Sequence, residues 1–144
     1  MTRGGPFTLT DAEVRRLLAA ARKARARAYS LHKPKRIKVG AALLGAKGAV
    51  FEGCNVSNGS STLGMCAERV ALYSAVAQGA RRFKAIAVVG SGREPWPPCG
   101  ACRQVLSEFD PKGSMEVVLG DASGRKVVRA RLKDLFPLPF RVTE

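Results

Sequence analysis

The apolar positions of residues 10–29 recur at helical spacing. Thr10 is followed three residues later by Glu13, a capping-box pattern, so the sequence predicts a helix that begins here and runs to about Tyr29. One face of this helix is apolar and the opposite face is basic. The apolar positions are Val14, Leu17, Leu18, Ala21 and Ala28, and the basic ones are Arg15, Arg16, Arg22, Lys23, Arg25 and Arg27. Residues 1–9 lack this pattern, and we expect them to form a loose arm.

Aliphatic segments of strand length alternate with further helical patterns along the rest of the chain. Strands are predicted at residues 39–44, 49–56, 84–89, 115–119 and 126–130, and helices at residues 66–78, 100–109 and 132–135. The helix at 66–78 ends at Gly79, a typical C-terminal stop. This alternation predicts an α/β fold with helices packed on a central sheet. Since no repeat or linker divides the chain, we expect residues 1–144 to form a single domain.

Composition adds a strong positive charge to this picture. Apolar residues make up 46% and charged residues 25% of the 144, which argues against disorder, a fibrous repeat or a coiled coil. The formal net charge is +14, which favours anionic partners or ligands. The longest apolar uncharged run, residues 70–80, is far shorter than the roughly 20 residues of a membrane helix. We therefore expect a cytoplasmic protein without a membrane segment, whose four cysteines are reduced.

Three of the cysteines are spaced like metal ligands. Cys99 and Cys102 are separated by two residues, at the start of the helix predicted at 100–109. Cys66 is the first residue of the helix predicted at 66–78. A two-residue gap allows two thiolates to bind one ion, and the N-terminus of a helix favours the thiolate form. Tetrahedral sulfur ligation selects Zn²⁺, and a set of three protein ligands leaves the fourth position open, as in catalytic zinc sites. The sequence therefore predicts a catalytic zinc site at these three residues.

Glu68 follows Cys66 by two residues, an offset that puts its carboxylate beside the open position. Zinc lowers the pKa of bound water to about 7, and a nearby carboxylate can take and return protons. Three thiolates would leave the ion with a formal charge of about −1 and weaken it as a Lewis acid. We expect Arg69 and Arg103, each adjacent in sequence to a site residue, to offset this charge as hydrogen-bond donors around the sulfurs.

Cys54 leaves a second interpretation open. If its thiolate also bound the ion, the site would be closed, and the protein would be a structural zinc module without catalytic activity. We interpret Cys54 instead as a small core residue at the end of a strand. The pair formed by Cys66-Ala67-Glu68 and Pro98-Cys99-Gly100-Ala101-Cys102 favours catalysis, because it fits the three-cysteine form of the nucleobase-deaminase signature.

Taken together, these motifs resemble the cytidine deaminase family, specifically its small homotetrameric branch. The similar segments are VGAALL at 39–44, GCNV at 53–56, CAER at 66–69, AIAV at 85–88, PCGACRQVL at 98–106 and LFPLPF at 135–140. The resemblance implies a three-layer α/β/α sandwich around a mixed five-stranded sheet, with Zn²⁺ held by Cys66, Cys99 and Cys102. It also implies hydrolytic deamination of cytidine or deoxycytidine to the uridine product and ammonia, in pyrimidine salvage.

The same resemblance implies roles for individual residues. Glu68 would move protons between water, N3 of the base and the leaving ammonia. Asn55 matches a ribose-binding asparagine, and the backbone N–H of Ala67 matches a donor to the pyrimidine carbonyl. Phe140 matches an aromatic residue that reaches the site of a neighbouring subunit, so a homotetramer would complete the active sites.

Three positions depart from the family pattern, and all concern substrate recognition. Ser57 stands where the family has the glutamate that grips the 3′-hydroxyl, Ser61 replaces a tyrosine, and Ile37 replaces a phenylalanine that packs against the base. A charge-assisted hydrogen bond is worth about 1.5–3 kcal/mol, so its loss would weaken nucleoside binding by about one to two orders of magnitude.

These departures leave two hypotheses for the substrate. Either the enzyme accepts cytidine and deoxycytidine in a more tolerant pocket, or the pocket is rebuilt for another aminated pyrimidine. That second class includes a modified nucleoside, a nucleotide and a blasticidin S-like compound. The spacing between Asn55 and Cys66, and Arg69 directly after Glu68, favour the first hypothesis.

The basic segments have a further possible ligand in nucleic acid, but only Tyr29 is aromatic among them, and bases bind by stacking. We interpret them as solvated surface and expect no nucleic-acid partner. Lys35, Arg36 and Lys38 are candidates for binding a substrate phosphate at the pocket mouth. His32, the only histidine, is expected to be exposed. Trp96, flanked by two prolines, is expected either to line the pocket or to anchor its loop.

Overall fold

The computed structural model describes residues 7–30 and 37–143. The helices are α1 (Asp11–Arg25), α2 (Ala67–Ala77), α3 (Gly100–Glu108) and α4 (Leu132–Leu135), and a 3₁₀ turn covers Ser61–Leu63. The strands are β1 (Gly40–Gly45), β2 (Val50–Cys54), β3 (Phe83–Val89), β4 (Glu116–Gly120) and β5 (Val127–Arg131). None of the helices in this part of the chain is long and apolar enough to cross a membrane.

The five strands form one mixed sheet in the order β2-β1-β3-β4-β5. Strands β3 and β4 are parallel, whereas the other neighbouring pairs are antiparallel. Because side chains alternate between the faces of a strand, β1 sends Ala42 and Leu44 into the core below α1, and Ala41 and Leu43 into the core below α2. The predicted three-layer α/β/α sandwich with a mixed five-stranded sheet is confirmed.

Helix α1 begins as the capping pattern predicts, since Oγ1 of Thr10 accepts a hydrogen bond from the Glu13 N–H at 3.1 Å. It ends at Arg25, however, earlier than the predicted Tyr29. The reason is a tertiary contact: Tyr29 lies in extended backbone and donates its N–H to Asn55, while its carbonyl accepts from Ser57. Residues of the predicted last turn therefore connect α1 to the segment that follows β2.

The expectation of a loose arm at residues 1–9 is wrong for its described part, residues 7–9. Leu9 is buried on the sheet, and the backbone N–H groups of Thr8 and Leu9 both donate to the carboxylate of Glu116 in β4. Phe7 lies against the guanidinium group of Arg129, 4.7 Å from its ring centroid. A buried carboxylate requires donors, and the chain before α1 supplies them.

A glycine sets the distance between α2 and the sheet. A Cβ atom on Gly53 of β2 would lie 2.5 Å from the carbonyl oxygen of Ala67 and 3.0 Å from Cα of Ala71. Both of these are backbone atoms of α2, so a larger residue at position 53 would push the helix outward. The helix that begins beside Cys66 is therefore seated directly on the strand that ends at Cys54.

Candidate active site

The N-termini of α2 and α3 bring the three predicted cysteine ligands together. Cys66 and Cys99 are the residues at which these helices begin, and Cys102 lies in the first turn of α3. The sulfur of Cys99 is 3.9 Å from that of Cys66 and 3.5 Å from that of Cys102. The backbone of Met65 positions Cys66 through two hydrogen bonds with Val56, of 2.8 and 2.9 Å.

This cluster fits a zinc ion by its donor atoms and by its dimensions. The three sulfurs lie within 4.8 Å of one another, and Zn–S bonds of about 2.3 Å in tetrahedral geometry would separate them by about 3.8 Å. Among the described residues, Cys54 is outside the cluster; it is half-buried at the end of β2. The alternative of a closed four-sulfur module therefore finds no support, and the site offers three protein ligands.

Glu68 lies two residues after Cys66, in the first turn of α2. It is almost fully buried, although its side chain lines an open cleft. Burial raises the pKa of the Glu68 carboxyl above its ordinary value, and hydrogen bonding to Cys102 and the charge of Arg69 only partly oppose this rise. Burial also raises the pKa of the Cys102 thiol, and the neighbouring Glu68 charge raises it further. The Glu68 carboxyl and the Cys102 sulfur thus lie close together in a poorly solvated environment.

The two arginines that were expected to donate to the sulfurs behave differently. Nη2 of Arg69 lies 3.3 Å from the sulfur of Cys66, in agreement with the expectation. Arg103 instead donates to two backbone carbonyl oxygens, Pro98 at 2.7 Å and Leu135 at 2.9 Å. Its expected role as a donor to the sulfurs is corrected, because the loop before α3 and the end of α4 present carbonyl groups with which its guanidinium group forms hydrogen bonds. Arg103 therefore connects the loop before α3 to α4.

The cleft beside the sulfurs has a volume of about 570 Å³, enough for a nucleoside-sized ligand. Five residues predicted from the resemblance to be near the substrate have a described position. Four of them line the cleft, namely Asn55, Ser57, Ala67 and Ile37. Ser61 and Met65 line it as well. The fifth, Phe140, is outside it, 72% exposed on the C-terminal segment.

Asn55 holds one wall of the cleft in place. Its Oδ1 accepts from the Val39 N–H at 2.7 Å, and its Nδ2 donates to the Ile37 carbonyl at 2.9 Å. The side chain therefore has local partners in addition to any ligand. A carbonyl oxygen has two lone pairs and an amide nitrogen has two hydrogens, so one of each is still available for a substrate hydroxyl.

Two further residues hold the same wall, and the sequence analysis did not identify them. Oγ of Ser91 accepts from the Lys38 N–H and donates to the Lys38 carbonyl, both at 2.9 Å. Arg25, the last residue of α1, donates to that carbonyl and to Oγ of Ser91. Residue types at such distant positions give no local signal, so only the fold reveals this set of contacts.

Trp96 both lines the cleft and anchors its loop. Lys38 lies beside the cleft wall, but its side chain is not among the lining groups. His32, Lys35 and Arg36 lie outside the described residues, so their expected positions stay predictions.

Comparison with known proteins agrees with this geometry. Residues 12–120 match the family model "Cytidine and deoxycytidylate deaminase zinc-binding region". The chain is 46% identical over 112 residues to the cytidine deaminase of Sporosarcina psychrophila, which covers 78% of this chain and 80% of that protein. The chain belongs to the cytidine deaminase family. The resemblance seen in the sequence is confirmed, including a zinc-binding domain.

Solved and curated relatives place the chain within this family more closely. The crystal structure of the Burkholderia pseudomallei cytidine deaminase matches with a TM-score of 0.81 and 47% identity, covering 92% of this chain and all of that chain. The blasticidin-S deaminase of Bacillus cereus is 28% identical over 121 residues, or 76% of this chain and 81% of that protein. The chain is therefore similar to deaminases of both candidate substrate classes, and its identity to the cytidine deaminases is higher.

Proposed function

We propose that this protein catalyses the zinc-dependent hydrolytic deamination of cytidine and deoxycytidine. The reaction adds water across the C4–N3 double bond of the base, breaks the C4–N4 bond and releases uridine or deoxyuridine and ammonia, as in pyrimidine salvage in the cytoplasm. The observation that carries the proposal is the buried carboxyl of Glu68 beside a cluster of three cysteine sulfurs in a nucleoside-sized cleft.

The ligands in this proposal are Cys66, Cys99 and Cys102. Bound Zn²⁺ supplies Lewis-acid activation of water, lowering its pKa to about 7. Arg69 donates to one of the three sulfurs and reduces the negative charge of the ligand set. The resulting site has one position that no cysteine fills, and Glu68 faces the same cleft.

Glu68 is the proton carrier of the proposed reaction. Its buried carboxylate accepts a proton from the attacking water and delivers it to N3 of the base. It then carries a second proton from the new hydroxyl on C4 to the departing amine, so that C4 becomes the carbonyl carbon of the product. Burial favours the neutral carboxylic acid, which is the form that donates to N3. The Ala67 N–H lies in the first turn of α2, where backbone N–H groups lack partners within the helix, and it is the proposed donor to the base carbonyl.

Two observations favour cytidine over other aminated pyrimidines. Identity to the cytidine deaminase of Sporosarcina psychrophila is 46%, against 28% for the blasticidin-S deaminase. Asn55 retains one donor and one acceptor for the sugar after its bonds to residues 37 and 39. Ser57 adds a hydroxyl to the cleft lining, a shorter group than the glutamate of the family pattern.

A substrate panel tests the proposal. Zinc-loaded protein would be assayed for ammonia release with cytidine, deoxycytidine, CMP and blasticidin S. We expect turnover of cytidine and deoxycytidine, and equal or poorer use of CMP. Turnover of blasticidin S or CMP without turnover of either nucleoside would replace the proposed substrate by the alternative class.

Two variants test the roles of the residues. Glu68→Ala is expected to keep its zinc and to lose activity by at least about 10²-fold, because general acid–base catalysis contributes about 10²–10⁴-fold. Cys54→Ser is the matched control, since its sulfur lies outside the cluster, and it should keep both zinc and activity. Loss of zinc in Cys54→Ser would restore the structural-module interpretation.

We also propose that the enzyme is a homotetramer in which Phe140 contributes to the site of a neighbouring subunit. Three apolar side chains close together in the C-terminal segment are largely exposed: Leu138 at 91%, Phe140 at 72% and Val142 at 82%. Such an exposed apolar cluster is typical of an interaction surface. The backbone of Phe140 is fixed by two hydrogen bonds with the amide group of Gln104, at 2.9 and 3.0 Å. The segment is thus held in a defined position with its apolar groups pointing outward.

A further inference from the structure

Trp96 is the single tryptophan of the chain, and it occupies the loop between β3 and α3. Its side chain is half-buried and lines the cleft together with Glu68 and Cys99. Among the described residues that line this cleft, it is the only aromatic one. The other apolar groups of the lining are aliphatic or sulfur-containing, and they include Ile37, Val39, Val88 and Met65.

Two glycines support the indole ring from behind. A Cβ atom on Gly90 would lie 2.5 Å from Cε3 of Trp96, and one on Gly92 would lie 2.7 Å from Cε2. Cε3 lies on one long edge of the indole, and Nε1, the ring atom nearest to the Gly92 position, lies on the other, so the ring packs across the backbone of residues 90–92. Only glycine at both positions permits this contact, because any side chain would occupy the space of the ring.

The indole ring thus has the backbone of residues 90–92 on one side, and it also lines the cleft. Residue 90 directly follows β3, whose Val89 is fully buried, and Ser91 is bound to Lys38. Residues 90–92, which contact the indole, are therefore fixed at the end of β3 and by the hydrogen bonds among Arg25, Ser91 and Lys38. An aromatic face fixed in this manner costs little conformational entropy when a planar ligand stacks on it.

We propose that Trp96 is a substrate-binding residue, the surface on which the pyrimidine ring stacks during deamination. The proposal rests on the proposed function, because it requires a planar aminated base in this cleft. Stacking on an aromatic side chain tolerates different bases, whereas the hydrogen bonds of the cleft select among them. Trp96 thus supplies binding of the ring, and Glu68 supplies the chemistry.

The first test uses the fluorescence of Trp96, which has no background from another tryptophan. Zinc-loaded Glu68→Gln protein would be titrated with cytidine, and wild-type protein with uridine. Saturable quenching or a spectral shift with both nucleosides, and none with ribose alone, is expected. Free tryptophan at the same absorbance controls for inner-filter effects. Binding of cytidine by calorimetry without any change in fluorescence would overturn the proposal.

The second test separates stacking from simple packing. Trp96→Val should raise KM by about tenfold to a hundredfold at unchanged zinc content, whereas Trp96→Phe, which keeps a ring, should stay within about threefold of wild type. Tyr73→Val is the matched control, because Tyr73 is a half-exposed aromatic residue of α2 outside the cleft. Equal KM values for Trp96→Val and wild type would overturn the proposal. If Trp96→Val does not fold, the fluorescence titration decides alone.

The outcomes distinguish this proposal from the proposed function. If cytidine is turned over and Trp96→Val keeps its KM, the function stands and the stacking role fails. If cytidine is not a substrate but another aminated pyrimidine is, and its KM depends on Trp96 as described, the stacking role stands. If no member of the substrate panel is turned over or quenches the fluorescence, both fail.

Discussion

Nη2 of Arg69 lies 3.3 Å from the sulfur of Cys66, within the first turns of a single helix. This contact raises the pKa of the Arg69 guanidinium, mainly through its hydrogen bond to Cys66, so the side chain stays charged. The negative charge of three thiolates exceeds the positive charge of one Zn²⁺ ion. A fixed cation beside one thiolate offsets the excess negative charge. We therefore expect Arg69, the residue after the proposed acid–base group, to reduce the negative charge of the ligand set.

Arg69→Gln is expected to weaken zinc binding or activity by about 10- to 100-fold, because partners of metal ligands contribute at that level. Zinc affinity would be measured by competition with a chromogenic chelator, and activity by ammonia release. Arg16→Gln, on the exposed face of α1, removes the same charge far from the sulfurs and serves as the control. Equal losses in both variants would mean that overall charge, and not the contact with Cys66, is responsible.

Ser91→Ala should raise KM by about tenfold, since it removes two hydrogen bonds to Lys38 that are worth about 1 kcal/mol each. We expect little change in zinc content, because Ser91 is separate from the sulfur cluster. Ser123→Ala is the control: it also removes side-chain hydrogen bonds, from Oγ to Asp121 and from the Arg125 N–H to Oγ, but in the turn after β4. An unchanged KM for Ser91→Ala would show that Arg25 and Asn55 hold the wall without it.

We expect the stabilising contribution of Glu116 to be lost in acid. Burial opposes its charged form, but the hydrogen bonds from Arg129, Leu9 and Thr8 outweigh this effect and lower the pKa of Glu116 below its ordinary value of 4.5. A lowered pKa in the folded state stabilises the protein above the unfolded-state pKa, and this contribution is lost as the pH falls through the folded-state value.

Glu116→Gln tests this dependence in urea unfolding experiments between pH 7 and pH 3. We expect the variant to lose about 1–3 kcal/mol at neutral pH, as for hydrogen bonds to a charged group. The difference from wild type should shrink as the pH falls below about 4.5. A difference that stays constant with pH would assign the loss to packing instead of charge.

Gly53→Ala should destabilise the protein and lower its zinc content together, because the new Cβ would lie 2.5 Å from the Ala67 carbonyl oxygen. Displacement of the α2 N-terminus moves Cys66 away from the other two sulfurs. Gly45→Ala, in the neighbouring strand, is the control, since its nearest contacts of 3.4 Å are ordinary. Thermal denaturation and zinc analysis would measure both effects; full zinc content in Gly53→Ala would contradict the expectation.

Phe140→Ala should raise KM without changing the oligomeric state, whereas Leu138→Ser and Val142→Ser together should shift the assembly toward smaller species. Light scattering after gel filtration measures the second effect. The expected reason is that exposed apolar groups of the C-terminal segment are covered in the assembly. A monomer of wild-type protein with full activity would exclude any contribution of Phe140 to a neighbouring site.

The sequence by itself determined the features that depend on local patterns. Periodicity gave the helices and strands nearly to their ends, and the order of these elements gave the layers. The spacing of Cys66, Cys99 and Cys102, together with the motifs around them, was enough to identify the family, because such motifs are recognised in the order of residues without knowledge of which segments meet.

Only the tertiary structure decided which distant groups meet. Residues 7–9 are held by a carboxylate of β4, Arg103 bonds to carbonyl groups of the loop before α3 and of α4, and Ser91 supports Lys38. Such contacts join residues far apart in the chain, so they follow from the packing of layers and not from periodicity, which records only a residue's own neighbours.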